Sequence, residues 1–136
     1  MRDVKVLIVE DEIIVAMDLQ ARLRRLGYTV VGVACSGEEA LHKATKTEPD
    51  VVLMDIVLKG LLDGIETPKH LRMRLPVPII YVTAYTDEAT VERMKLTDYA
   101  GYLFKPFDEP ELRATIERAL AGSKSTDQTS RTVVRE

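Results

Sequence analysis

Five times along the chain a short apolar run gives way to a longer stretch with apolar residues at helical spacing, and this alternation restricts the fold more than any other feature. The runs are Val4 to Val9, Thr29 to Ala34, Val51 to Met54, Pro78 to Thr83 and Tyr102 to Phe104. Each is short, bounded by turn-forming residues and suited to a buried strand. The first intervening helix is marked by Ile13, Met17, Gln20, Leu23 and Leu26, with Gly27 as its stop. Ser36 followed by Glu39 forms a capping-box signature ahead of Ala40, Leu41 and Ala44. Asp63 and Glu66 introduce a third helix through Ile65, Leu71 and Leu75, although Pro68 lies where it would delay or kink that helix. Asp87 to Thr97 forms a more polar fourth helix with Ala89, Val91, Met94 and Leu96. Asp108, Pro110 and Glu111 set up the last one, with Leu112, Ile116, Ala119 and Leu120 turned inward. Strict βα alternation demands an α/β fold of the doubly wound kind, a parallel five-stranded sheet with right-handed crossovers and helices on both faces.

The 136 residues suffice for one domain with one core. The boundary is expected near residue 122, because Ser123 to Ser130 has too little apolar surface to offset the entropy of ordering; 1–122 reads as the domain and 123–136 as a flexible tail. No apolar run approaches membrane-spanning length and the amino terminus lacks signal-peptide character, so a cytoplasmic location without membrane attachment is expected. The net charge of -3, with no basic block, gives no reason for direct nucleic-acid binding and points to a protein partner. The single cysteine, Cys35, lies among apolar neighbours and is expected to fill core space.

Chemistry collects where the strands end. Glu10-Asp11-Glu12 follows the first strand, Asp55 the third, Thr83-Ala84 the fourth and Lys105 the fifth. In a parallel sheet these ends share one edge, where ligands bind. Taken singly, the acids could serve a helix N-terminus, Asp55 a turn and Lys105 the solvated surface. Taken together, several carboxylates in one crevice repel one another unless a cation joins them. Oxygen-only ligands favour Mg2+, with Asp11 and Asp55 as direct ligands. Lys105, the Thr83 hydroxyl and the Ala84 N–H make a cradle for a phosphoryl group, with Asp55 as its covalent acceptor.

These motifs, in this order and spacing, resemble the receiver domain of two-component response regulators over about residues 4 to 121. The resemblance implies a flavodoxin-like (βα)5 fold with strand order 2-1-3-4-5. It further implies that Asp55 takes its phosphoryl group from a sensor histidine kinase or phosphotransfer protein. Mg2+ would be held by Asp11, Asp55 and the Val57 carbonyl, with Glu10 acting through water. Thr83 and Tyr102 would be the switch residues, which makes the face of the fourth helix, fifth strand and fifth helix the signalling surface. A cis bond between Lys105 and Pro106 is also implied.

On this reading the protein is a signalling phosphoacceptor that assists its own phosphorylation and dephosphorylation, not an enzyme acting on a separate substrate. Its downstream effector is not named by the sequence, and a homodimer is compatible with it. Val57 and Tyr85 flank the approach to the acceptor. Neither reads as a side chain that orients a hydrolytic water, so slow self-dephosphorylation is expected. Two alternatives stay open: a docking module that is never phosphorylated, and a Mg2+-dependent phosphatase-like enzyme. Against the second, no further catalytic acid pattern accompanies the first strand. His42 and His70, without ligand spacing, are expected to be solvated, and Leu61-Leu62 to lie in a loop.

Overall fold

All five expected strands are found, each within one residue of its expected limits: β1 (Lys5–Val9), β2 (Thr29–Ala34), β3 (Val51–Met54), β4 (Ile79–Thr83) and β5 (Gly101–Phe104). The computed structural model describes residues 3–56, 66–73, 75–84, 88–95 and 99–124. Every pairing is parallel and the order is β2-β1-β3-β4-β5, as the resemblance implied. The central strands are buried throughout, and so their sequences are continuous apolar runs rather than alternating ones.

Alternation along each strand divides the core into two halves. Val6, Ile8, Val51, Leu53, Ile80 and Val82 face one side, where α1 (Ile13–Arg25) contributes Leu19 and Leu23, and α5 (Glu109–Lys124) contributes Leu112, Ile116 and Ala119. Leu7, Val9, Val52, Met54, Ile79 and Tyr81 face the other, covered by Ala40 and Ala44 of α2 (Gly37–Thr47), Leu71 of α3 (Glu66–Arg72) and Met94 of α4 (Glu88–Lys95).

The helix ends follow the local chemistry. Gly27, at φ 94°, closes α1: its N–H donates to the Arg24 carbonyl at 3.0 Å and the Tyr28 N–H to the Leu23 carbonyl at 3.0 Å, two bonds that satisfy end carbonyls. Ser36 Oγ accepts from the Glu39 N–H at 3.1 Å, and Glu39 Oε1 reaches back to the Cys35 N–H at 2.7 Å. Asp108 caps α5 by accepting from the Glu111 N–H at 2.9 Å. Pro68 falls in the first turn of α3, where no intrahelical partner would exist for the N–H it lacks.

Two expectations need correction. In α1 the stripe meeting the sheet is Ala16, Leu19 and Leu23, whereas Ile13 and Met17 are exposed with Ile14. Both stripes have helical spacing, and the one in register with the sheet wins. Cys35 is exposed, not core. β2 ends at Ala34 and Ser36 must adopt the extended cap conformation, which leaves Cys35 in the turn between them. His42 and His70 are exposed, as expected. α5 continues through Lys124, two residues past the expected boundary at 122. Residues 125–136 of the expected tail lie outside the described residues, as do Leu61, Leu62 and Asp63.

Candidate functional site

The carboxyl edge of the sheet assembles the site through backbone bonds that carry each strand one residue beyond its end. The Glu10 N–H donates to the Ala34 carbonyl at 2.9 Å, the Asp55 N–H to Val9 at 3.0 Å and the Lys105 N–H to Thr83 at 2.9 Å. Glu10, Asp55 and Lys105 are therefore held at the ends of β1, β3 and β5 by the same ladder that makes the strands. Glu10, Asp11 and Asp55 each bring a carboxylate oxygen to within 4.8 Å of the other two. That spacing matches a shared cation, and the donor set, oxygen only, fits Mg2+ rather than a soft metal.

Lys105 Nζ lies 3.2 Å from Glu10 Oε1 and 4.0 Å from Asp55 Oδ2. Glu10 is 3% exposed, and its second oxygen accepts from the Glu12 N–H at 3.2 Å. A carboxylate so buried needs such partners, since an unpaired charge away from water is costly. Asp55 keeps 12% and Lys105 23% of their side chains exposed, an opening through which a solute could reach the Asp55 carboxylate. Thr83 is fully buried at the end of β4, and Ala84 beside it is exposed. The Lys105–Pro106 peptide is cis, as the resemblance implied.

Tyr102 is 46% exposed on β5. A chain of ring contacts runs inward from it, to Tyr99 at 6.0 Å between centroids and from Tyr99 to the buried Tyr81 at 5.7 Å. The structure thus brings Glu10, Asp11 and Asp55 together, with Lys105 in reach of Glu10 and Asp55, and with Thr83 and Ala84 on the same edge. Val57 and Tyr85 lie outside the described residues. Sequence reasoning missed two contacts. One is the pairing of Lys105 with Glu10. The other is Arg22, whose Nη1 donates to the Phe107 carbonyl at 2.9 Å, two residues beyond Lys105.

The family model for the response regulator receiver domain matches residues 6–117. The chain belongs to the receiver-domain family. The transcriptional regulatory protein PdtaR of Mycobacterium tuberculosis is 38% identical over 117 residues, which cover 86% of this chain and 57% of that protein. This receiver domain therefore spans little more than half the length of that relative. Among solved structures, the signal receiver domain of a modulated diguanylate cyclase from Desulfovibrio desulfuricans has a TM-score of 0.86 and 41% identity, covering 90% of this chain and 98% of that one. The receiver domain of a sensor histidine kinase from Pseudomonas aeruginosa, with a magnesium ion coordinated in its active-site cleft, has a TM-score of 0.80 and 31% identity, over 88% of this chain and 99% of that one. No helix among the described residues is long and apolar enough to cross a membrane.

Proposed function

We propose that this receiver domain accepts a phosphoryl group on Asp55 from a phosphohistidine of a sensor histidine kinase or phosphotransfer protein, with Mg2+ in the acidic cluster. The observation that carries the reading is the convergence of Glu10, Asp11 and Asp55 within 4.8 Å, with Lys105 Nζ 4.0 Å from Asp55. An Asp55 oxygen attacks phosphorus, the P–N bond breaks, and its electron pair stays on the donor imidazole. Charge on the three phosphoryl oxygens is met by Lys105, by the Thr83 hydroxyl and by the Ala84 N–H. Asp11 and Asp55 would bind the cation directly, with the Val57 carbonyl, and Glu10 would act through water. The cation supplies neutralisation of oxygen charge at the acceptor.

The switch couples Thr83 to Tyr102: the threonine moves to the new phosphoryl group and the tyrosine turns inward from its half-exposed position. The response appears on the face of α4, β5 and α5, which docks an effector or a second copy of the chain. The protein works in the cytoplasm as a signalling phosphoacceptor. Its signal decays slowly, because Val57 and Tyr85 do not orient a water behind phosphorus, and the segment beyond residue 122 is dispensable for the fold.

The test is to incubate the protein with Mg2+ and a small acyl phosphate and to weigh it intact. A single phosphoryl adduct is expected on wild type, absent from Asp55→Asn and after chelation of the cation. An adduct that persists in Asp55→Asn, or forms equally without the cation, refutes the assignment.

A further inference from the structure

Two contacts on the acidic edge hold Lys105 directly, and a third restraint acts on the loop that follows it. The Lys105 backbone N–H is bound to Thr83 and its ammonium to Glu10. The third restraint comes from the opposite end of α1. Arg22 sits near the carboxyl end of this helix, far along it from the acidic pair at its start, and it points at the loop that follows Lys105. Its Nη1 donates to the Phe107 carbonyl at 2.9 Å, its guanidinium carbon lies 5.7 Å from the centre of the Phe107 ring, and its Nε donates to Asp18 Oδ2 at 2.9 Å. The planar guanidinium thus meets backbone, ring and carboxylate at once, which a lysine ammonium cannot reproduce. At 28% side-chain exposure it is substantially shielded from water.

Other contacts join the same two helices but bypass the loop. Arg25 pairs with Glu109 in the first turn of α5, and Arg113 of α5 donates to the Leu26 carbonyl at 3.1 Å. Beyond the loop, Asp108 belongs to the cap of α5. Phe107 itself packs against the core cluster that includes Leu19 and Leu23 of α1, and Arg22 adds to that packing a polar tie between the Lys105–Phe107 loop and α1, the helix that begins just after Glu10 and Asp11.

We infer that Arg22 is a positioning residue for phosphoryl binding, acting through the Phe107 carbonyl to hold Lys105 at its reach from Asp55. The inference rests on the phosphoacceptor reading above. Its physical basis is the short distance involved. Lys105 Nζ stands 3.2 Å from Glu10 and 4.0 Å from Asp55, so a phosphoryl group on Asp55 is met by a shift of the ammonium alone if the loop backbone stays in place. A backbone displaced by about 1 Å loses that alignment, and misplacements of this size cost up to roughly 100-fold in favourable cases. With the Thr83 bond and the Asp108 cap still intact, a smaller loss of about 5- to 10-fold is expected on removing Arg22.

The experiment separates positioning from general loosening. Magnesium binding and magnesium-dependent beryllofluoride binding are each titrated by amide spectra in wild type, Arg22→Gln, Arg22→Lys, Lys105→Gln and the Arg22→Gln, Lys105→Gln double variant. The expected result is that Arg22→Gln leaves magnesium affinity unchanged and weakens beryllofluoride binding about 5- to 10-fold, with Arg22→Lys intermediate. In the Lys105→Gln background the Arg22 substitution adds no further loss, since two residues acting through one contact are not additive. Arg25→Gln, which cuts a tie between the same helices without touching the loop, binds both ligands as wild type does. Should Arg22→Gln prove unfolded, Arg22→Lys carries the same test with and without Lys105→Gln. The assignment is overturned if beryllofluoride binding is unchanged, if magnesium affinity falls in parallel, or if the loss persists in full without Lys105. A wild-type protein that binds magnesium but no beryllofluoride contradicts the phosphoacceptor reading itself, an outcome distinct from these three.

Discussion

The two faces of the sheet are covered in different ways. On one, α1 and α5 bury Leu19, Leu23, Leu112, Ile116 and Ala119; Arg25 and Arg113 cross-tie these helices, and Arg22 of α1 binds the loop that leads into α5. On the other, α2 meets the sheet through Ala40 and Ala44, α3 through Leu71 and α4 through Met94, while bulk is supplied by Tyr81 of the sheet and by Ile56 and Val77 beside it. Small residues let α2 lie close. The first face combines large side chains with polar ties, and it carries both the acidic pair at the start of α1 and the lysine loop at the start of α5. The second carries α4, which enters the core, among the described side chains, through one buried residue, Met94. Of the groups proposed to do chemistry, Asp55 and Thr83 end strands of the sheet itself, while Glu10, Asp11 and Lys105 adjoin the firmly held layer. Of the two helices on the proposed signalling face, α4 lies on the layer that has fewer large helix anchors among the described residues, where local opening is cheaper, and α5 on the other.

The largest effect that would break this comparison comes from truncating one anchor on each face. Ile116→Ala should lose roughly 3 kcal/mol of stability in urea unfolding, and Met94→Ala nearer 2, both within the range for deleting a buried aliphatic side chain. If Met94→Ala costs as much as Ile116→Ala or more, the faces are equally anchored. Next comes the close approach of α5 to β5. A Cβ added at Gly101 would stand 3.1 Å from Thr115 Cγ2, a short buried side chain with little room to give. Gly101→Ala is expected to cost about 1–2 kcal/mol by crowding, and Thr115→Ser, by deleting that methyl group, should recover part of it in a double-mutant cycle.

A smaller loss, about 1 kcal/mol, is expected from Gly27→Ala, where nothing would touch the new methyl group and the cost is that of an L residue at φ 94°. Thermal unfolding measures it. The smallest effect lies on the α2 side. The Glu39 carboxyl is held below its usual range by the Cys35 N–H first and by Lys43 second, and burial opposes them. A carboxyl lowered in the folded state adds stability above its unfolded pKa and loses it as the pH falls through the folded value. Glu39→Gln should therefore lower the urea midpoint slightly at neutral pH and leave it unchanged in acid below that folded value. A deficit that persists undiminished in acid would assign the effect to something other than the charge.

Much of this was legible in the sequence, for local reasons. Buried strands need continuous apolar runs, caps need Ser36 and Asp108, and a helix stop at positive φ needs Gly27. Pattern alone could not choose between two apolar stripes on α1, because Ile13 and Met17 repeat at the same spacing as Ala16, Leu19 and Leu23. Cys35 was misplaced for a related reason: apolar neighbours in sequence do not tell on which side of a strand's end a residue falls. In the site, Glu10, Asp11, Asp55, Thr83 and Lys105 were legible because strand ends in a parallel sheet share an edge. Arg22 was not, since its bond reaches a backbone carbonyl 85 residues away and leaves no local trace.

The central claim is that Asp55 is the phosphorylated carboxylate, and the most direct test identifies the modified residue chemically. Treat the protein with Mg2+ and a small acyl phosphate, reduce the aspartyl phosphate with borohydride to homoserine, and locate the homoserine by peptide mass mapping. The account predicts homoserine at position 55 alone, and none when the cation or the phosphoryl donor is left out. Homoserine at position 11 or elsewhere, with Asp55 intact, would contradict it.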